Sequence, residues 1–407
     1  MVSGLLSGLP LANRRPLAFP LRPGQPYAMR TSRTLDPLAF GVSRDHGFVP
    51  DDDPLDALPP AFAAWDELVP ILPALIMNRE VQRWIAAIPE LDAAALAGDA
   101  EQERGALVLS ALAMAHVWGG AEPEFTLPRN IAVPFMALSQ RLGRPPIVMH
   151  ASLVLNNWRR LDRTRPVALD NIDTQATFTG SFDEKWFYLA TLGVELAGAP
   201  AIVALAAAVN AAQANDNDAL ADHLVSLDAG IRQMTAALMR MTERCDPYVF
   251  YHRIRPFLAG WPAPGVTYAG TGTPPQVWAG GSAAQSSLLQ AIDAGLGIEH
   301  EHASTRDFLA AMLQYMPSKH RAFVTALREF STIRTRAGNG PARLRDAYNA
   351  CIAGADEFRR KHIGLASHYI VKQASVHVGP GTIGTGGTDF VEFLRESRIE
   401  TARSALT

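Results

Sequence analysis

LRDAYNACIAGADEFRRKHIGLASHY, residues 344–369, decides the fold class. Leu344, Tyr348, Cys351, Ala355, Phe358, His362, Leu365 and Tyr369 recur at alternating steps of four and three, which lays one stripe along a helix. Pro341 opens the run, where a first-turn proline is tolerated. Leu220, Leu224, Leu227, Ile231, Met234, Leu238 and Met241 step in the same way. Residues 101–118 (EQERGALVLSALAMAHVW) are apolar nearly all round after the first turn, as a buried helix requires. Ser304 with Asp307, and Ser318 ahead of HRAFVTAL, mark further helix starts. Alternating strand patterns are scarce, so the expected fold class is all-α. The one residue out of place in the stripe is His362. Its imidazole points inward, and two readings stay open: a satisfied core histidine, or an axial haem ligand projected into an apolar pocket.

Working outward, the 407 residues suggest two or three domains, and 48% hydrophobic content supplies a sizeable core. That excludes a disordered chain. A net charge of −3 argues against a nucleic-acid partner, which demands a basic face. Cys245 and Cys351 are the only cysteines against 11 histidines. A disulfide framework or thiolate zinc cluster is therefore excluded, and any metal must be held by histidine or carboxylate.

The organisation expected is an irregular Pro/Arg-rich leader over 1–60, a small helical domain over 61–177 and a large one over 178–407. The polar stretch DNIDTQATFTGSFD (170–183) marks the boundary. The leader holds five arginines before Asp36, but its prolines break any amphipathic helix, so it reads as a solvated segment rather than a transit peptide. No long apolar secretion signal is seen. Trp186–Ala212 is almost uncharged, yet Glu195 and Pro200 interrupt it, so a buried helix pair is expected rather than a membrane span. A cytoplasmic monomer without membrane or nucleic-acid partners is the expectation.

Several segments could carry chemistry. AGGSAAQSS (279–287) leads into a helix, whose start offers free N–H groups to an anion and whose glycines would let the backbone approach a flat ligand. A plain helix cap explains it equally. No strand precedes Ser282 and Ala284 stands where a hydrolase elbow needs glycine, which removes that reading. GPGTIGTGGTD (379–389) has no lysine after its glycines, so it is no phosphate loop; a lid or a linker fits. EHEH (299–302) lacks metal-site spacing and reads as a solvated loop. DPYVFYHRIRPFLAGW (246–261) gathers aromatics and two arginines, a combination suited to an aromatic acid, or to a packed corner with surface arginines. Arg359, one turn before His362, could pair with an acid or a propionate, whereas His368 faces elsewhere.

Taken together the chain resembles indoleamine 2,3-dioxygenase. The stretches that carry the likeness are LPRNIAVPF (127–135), RPPIVMHASLVLNNWRRLD (144–162), FYLATLGVEL (187–196) and DPYVFYHRIRPFLAGW. AGGSAAQSS, YMPSKHRAF (315–323), FRRKHIGLASHYI (358–370) and GTGGTD (384–389) follow in order, so the likeness covers about residues 101–395. It implies a two-domain all-helical protein binding haem b in the larger domain, and opening of the indole 2,3 bond of L-tryptophan by O₂ to N-formylkynurenine. It further implies His362 as the iron ligand and an Arg359–Asp293 ion pair behind the haem. Arg255 would take the substrate carboxylate, Phe250 and Phe187 would pack on the indole, and Gly281, Ser282 and Ala283 would line the pocket near a propionate. Thr385 would close over the amino acid. Two positions depart from the family pattern: Thr191 stands where a serine is frequent, and His150 where an aromatic is usual. They motivate a second reading, a haem enzyme acting on a modified indole. A third, a low-turnover haem sensor, is disfavoured because a sensor needs no carboxylate clamp such as Arg255. The implied chemistry needs ferrous iron, hence a cellular reductant, and no strong general base.

Overall fold

The computed structural model describes residues 34–376, Thr385 and 390–407. The expectation of an all-α fold holds. Among the described residues nine helices reach ten residues or more. They are α1 (Asp99–Trp118), α2 (Arg129–Leu142), α3 (Phe182–Gln213), α4 (Asn217–Met239), α5 (Ser287–Leu296), α6 (Ala303–Met312), α7 (Ser318–Phe330), α8 (Ala342–Ala366) and α9 (Phe390–Arg403). Among the described residues, named strands form two short pairs, β1 (Thr126–Leu127) parallel to β4 (Thr267–Tyr268), and β2 (Trp158–Arg160) antiparallel to β3 (Ile172–Thr174).

Trp186–Ala212 corrects one expectation. It lies within one continuous 32-residue helix, α3, with Pro200 inside it, rather than a helix pair. Proline removes one backbone hydrogen bond, and packing over the full length outweighs that loss. Ser181 caps the start, its Oγ accepting from Glu184 N–H at 3.1 Å. Glu184 in turn accepts from the N–H groups of Phe178 and Thr179 at 2.7 and 2.6 Å, which orders the polar 170–183 stretch. Long and apolar enough to cross a membrane, α3 is instead largely buried inside the protein.

Two buried apolar clusters meet along α3. One gathers the chain from Val49 to Leu192 with Cys245–Trp278 and Met312, Tyr315 and Tyr369. The other joins the second half of α3 to α4, α5, α7 and α8. The predicted α4 stripe is real: Leu220, Leu224, Leu227, Ile231 and Met234 are buried. The α8 stripe divides. Leu344, Tyr348, Cys351 and Ala355 are core residues, whereas Phe358, His362 and Leu365 line a cavity. Both cysteines are free and buried, and Cys351 Sγ donates to the Leu224 carbonyl.

Candidate active site

The cavity contains about 1650 Å³ of space unfilled by protein, part of it open to solvent. Phe358, His362, Leu365 and Ala366 of α8 form one wall, and Phe187, Ala190, Thr191 and Val194 of α3 another. Three π-helical turns, Ala151–Leu155, Phe250–Ile254 and Ser367–Val371, surround it and contribute Leu153, Val154, Phe250, Tyr369 and Ile370. Such one-residue expansions re-aim side chains and recur at functional sites. No sequence period announces them.

His362 projects into this space with no hydrogen-bond partner among the described residues, its ring 6.4 Å from that of Phe358. Burial, and then the nearby Arg359 charge, push its pKa down to about 4. A neutral, unpaired imidazole in an apolar recess has the donor chemistry of an axial iron ligand, and the cavity has room for a flat macrocycle beside it.

Arg359 is fixed from behind. Its Nη2 donates to both Asp293 carboxylate oxygens at 2.8 and 2.7 Å, and its Nε to Ser397 Oγ at 3.1 Å. His300 extends the chain, Nε2 to Asp293 at 3.1 Å and Nδ1 to Glu400 at 2.8 Å, while His302 N–H donates to Glu400 at 2.7 Å. The reading of EHEH as a solvated loop holds for Glu299, Glu301 and His302, which are exposed, but is corrected for His300, whose side chain is 8% exposed and bridges two buried carboxylates. The partners lie 7 and 100 residues away, so no local spacing could reveal them. Burial alone would raise the Asp293 pKa, but Arg359 and His300 hold it below the ordinary value.

Arg255 lines the cavity with its guanidinium 5.2 Å from the Tyr251 ring. Burial lowers its pKa, with Tyr251 opposing; an arginine stays charged even so. The Phe187 and Phe250 rings pack at 4.8 Å, tilted by 43°, and Tyr369 meets Phe250 edge-on at 5.7 Å. Thr191 Oγ1 donates to the Phe187 carbonyl at 2.7 Å, so its proton is engaged within α3.

Gly280–Gln285 forms a capped turn ahead of α5. Ser282 and Gln285 make a capping box, and Gln285 Nε2 donates to the Gly280 carbonyl at 2.8 Å. A Cβ on Gly280 would lie 2.0 Å from the Leu258 carbonyl oxygen, so this glycine serves close backbone packing against 258–260. Gly281, Ser282 and Ala283 do face the cavity. Thr385, the one described residue of the glycine loop, is docked there: Gly280 N–H donates to its carbonyl at 3.0 Å and its Oγ1 donates to the Gly281 carbonyl at 2.7 Å. The rest of 379–389 lies outside the described residues. The structure thus brings Thr191, Arg255, Thr385, His150, Phe187, Phe250, Gly281–Ala283 and His362 around one cavity, with Arg359 and Asp293 behind it.

The model of the indoleamine 2,3-dioxygenase family matches residues 36–404. The chain belongs to that family. Indoleamine 2,3-dioxygenase 2 of Mus musculus is 37% identical over 397 residues, covering 92% of this chain and 98% of that protein. Indoleamine 2,3-dioxygenase 1 of Rattus norvegicus is 34% identical over 393 residues, covering 90% and 95%. The 6-hydroxytryptophan 2,3-dioxygenase of Fusarium equiseti is 33% identical over 393 residues, covering 90% and 96%. This family member is accordingly a dioxygenase acting on a small molecule. Sequence reasoning missed Glu195, Ser286, Phe308 and the α9 side chains Phe390 and Phe393, which also line the cavity. The apolar positions of FVEFL in α9 were the available signal.

Proposed function

We propose that this dioxygenase opens the indole 2,3 bond of L-tryptophan with O₂, giving N-formylkynurenine. The observation that carries the reading is the pairing, in one apolar cavity, of a neutral unpaired His362 with a half-buried cation, Arg255. His362 would hold haem b, and Ser282 and Ala283 would approach its edge; bound there, the haem would supply the redox chemistry that activates O₂. Arg359, locked by Asp293 and Ser397, keeps the His362 turn of α8 in place. Arg255 binds the substrate carboxylate in bidentate fashion, which orients the amino acid. Phe187 and Phe250 supply a tilted aromatic surface for the indole and exclude water. Thr385, bound to Gly280 and Gly281, closes the amino-acid end. No side chain is required to remove a proton from carbon, and a cellular reductant would supply the electron that keeps a bound haem active.

A modified indole is the second reading, and the polar pair His150–Glu195 in the cavity wall favours it. Incubating reduced, haem-loaded protein with L-tryptophan and O₂ should yield a product heavier by two oxygen atoms, read by mass spectrometry. Absence of that product, together with turnover of a ring-hydroxylated tryptophan, would transfer the assignment to the second reading. No product from either would refute both.

A further inference from the structure

One wall of the cavity carries polar groups that neither the carboxylate clamp nor the aromatic surface uses. His150 stands just before the π-helical turn Ala151–Leu155, and Glu195 projects from α3; their side chains are 4% and 3% exposed, and both line the cavity. Glu195 Oε1 accepts twice, from Ser286 Oγ at 2.5 Å and from His150 Nε2 at 2.9 Å. An oxygen that accepts from the ring places the imidazole proton on Nε2, and a neutral imidazole with that tautomer presents Nδ1 as an acceptor. Nδ1 has no partner among the described residues. The ring is held in place by its Nε2 bond to Glu195, and the backbone N–H of His150 donates to Gln285 Oε1 at 3.0 Å. Gln285 is fixed by its own bond to the Gly280 carbonyl.

We propose that His150 is a specificity-determining residue whose Nδ1 accepts a hydrogen bond from a donor on the indole ring of the substrate, the pyrrole N–H or a ring hydroxyl. The inference rests on the reading that an indole amino acid fills this cavity. Glu195 and Ser286 are positioning residues, since they act through His150. An acceptor held in an apolar wall disfavours any ligand that leaves it unmatched, so discrimination comes from the ligand that lacks the donor.

The test is calorimetric titration of the haem-loaded ferric protein with four ligands: L-tryptophan, its benzofuran analogue with oxygen in place of the ring N–H, and 5- and 6-hydroxytryptophan. Two variants separate the functions of the imidazole. H150Q keeps an amide N–H for Glu195 and has no acceptor at the Nδ1 place; H150N keeps an acceptor oxygen there and gives up the Glu195 bond. The wild type should bind a donor-bearing ligand about three- to tenfold more tightly than its donor-free counterpart. That ratio should fall to about one in H150Q and survive in H150N. Loss of the ratio for tryptophan against the benzofuran assigns the donor to the pyrrole N–H. Loss for a hydroxytryptophan against tryptophan assigns it to the hydroxyl. A wild type that discriminates neither pair overturns the proposal without any variant, as do ratios unchanged in H150Q. Heat absent with every ligand would instead refute the reading of the cavity as an indole site.

Discussion

Asp293→Ala removes the keystone of the chain behind His362, and its cost follows from the partners it strands. The carboxylate takes two bonds from Arg359 Nη2, at 2.8 and 2.7 Å, and one from His300 at 3.1 Å. Without it, Arg359 keeps its bond to Ser397 Oγ, while Nη1 is already buried and unpaired. The Arg359 and Asp293 side chains are 6% and 8% exposed, so bulk water does not reach the stranded guanidinium. Breaking a buried pair from one side costs about 3–5 kcal/mol, because the remaining charge is left uncompensated. With a urea slope of about 3 kcal/mol/M, the midpoint should fall by roughly 1–1.7 M at unchanged slope. Asp293→Asn, which retains the shape and one acceptor, should lie between that variant and the wild type. Because Arg359 sits one turn before His362, the alanine variant should also shift the Soret band of the haem-loaded protein. A midpoint within about 0.3 M of the wild type, with an unperturbed Soret band, would refute the reasoning that this pair is both buried and coupled to His362.

Three further outcomes are expected. His362→Ala should purify without haem, and an unchanged Soret band would remove the ligand assignment. Arg255→Ala should leave the Soret band intact and raise the KM for tryptophan by about ten- to a hundredfold, the loss of one charge-assisted contact of about 1.5–3 kcal/mol; unchanged kinetics would place the carboxylate elsewhere. The stability difference between wild type and His300→Ala should depend on pH. Burial would lower the His300 pKa, but the hydrogen bond and charge of Asp293 outweigh it and hold the pKa above the ordinary 6.5. The stability His300 contributes is therefore fully present below about 6.5 and lost as the pH rises through its higher folded value. Urea unfolding of both proteins from pH 5.5 to 9 should show the difference shrinking towards alkaline pH, and a constant difference would contradict a charged His300.

Periodicity was enough for the helices, because a stripe at steps of four and three records which side of a helix leaves water. It placed α4 and α8 correctly and put His362 on the inward face of α8. Composition likewise excluded thiolate metal sites, since a count needs no geometry. The continuity of α3 was not legible, because Pro200 is a local penalty and the packing that offsets it is distant in the chain. The same holds for His300, whose hydrogen-bond partner Glu400 lies a hundred residues on, in a helix that the EHEH spacing cannot sense. The division of the α8 stripe into core and cavity also required the tertiary structure: Cys351 and His362 are equivalent by phase, and only the neighbours determine that one meets α4 and the other open space. Sequence alone determined which residues turn inward, because that is a property of one helix and water. What they meet there was decided by the assembled fold, because contact is a property of segments that the chain brings together only after folding.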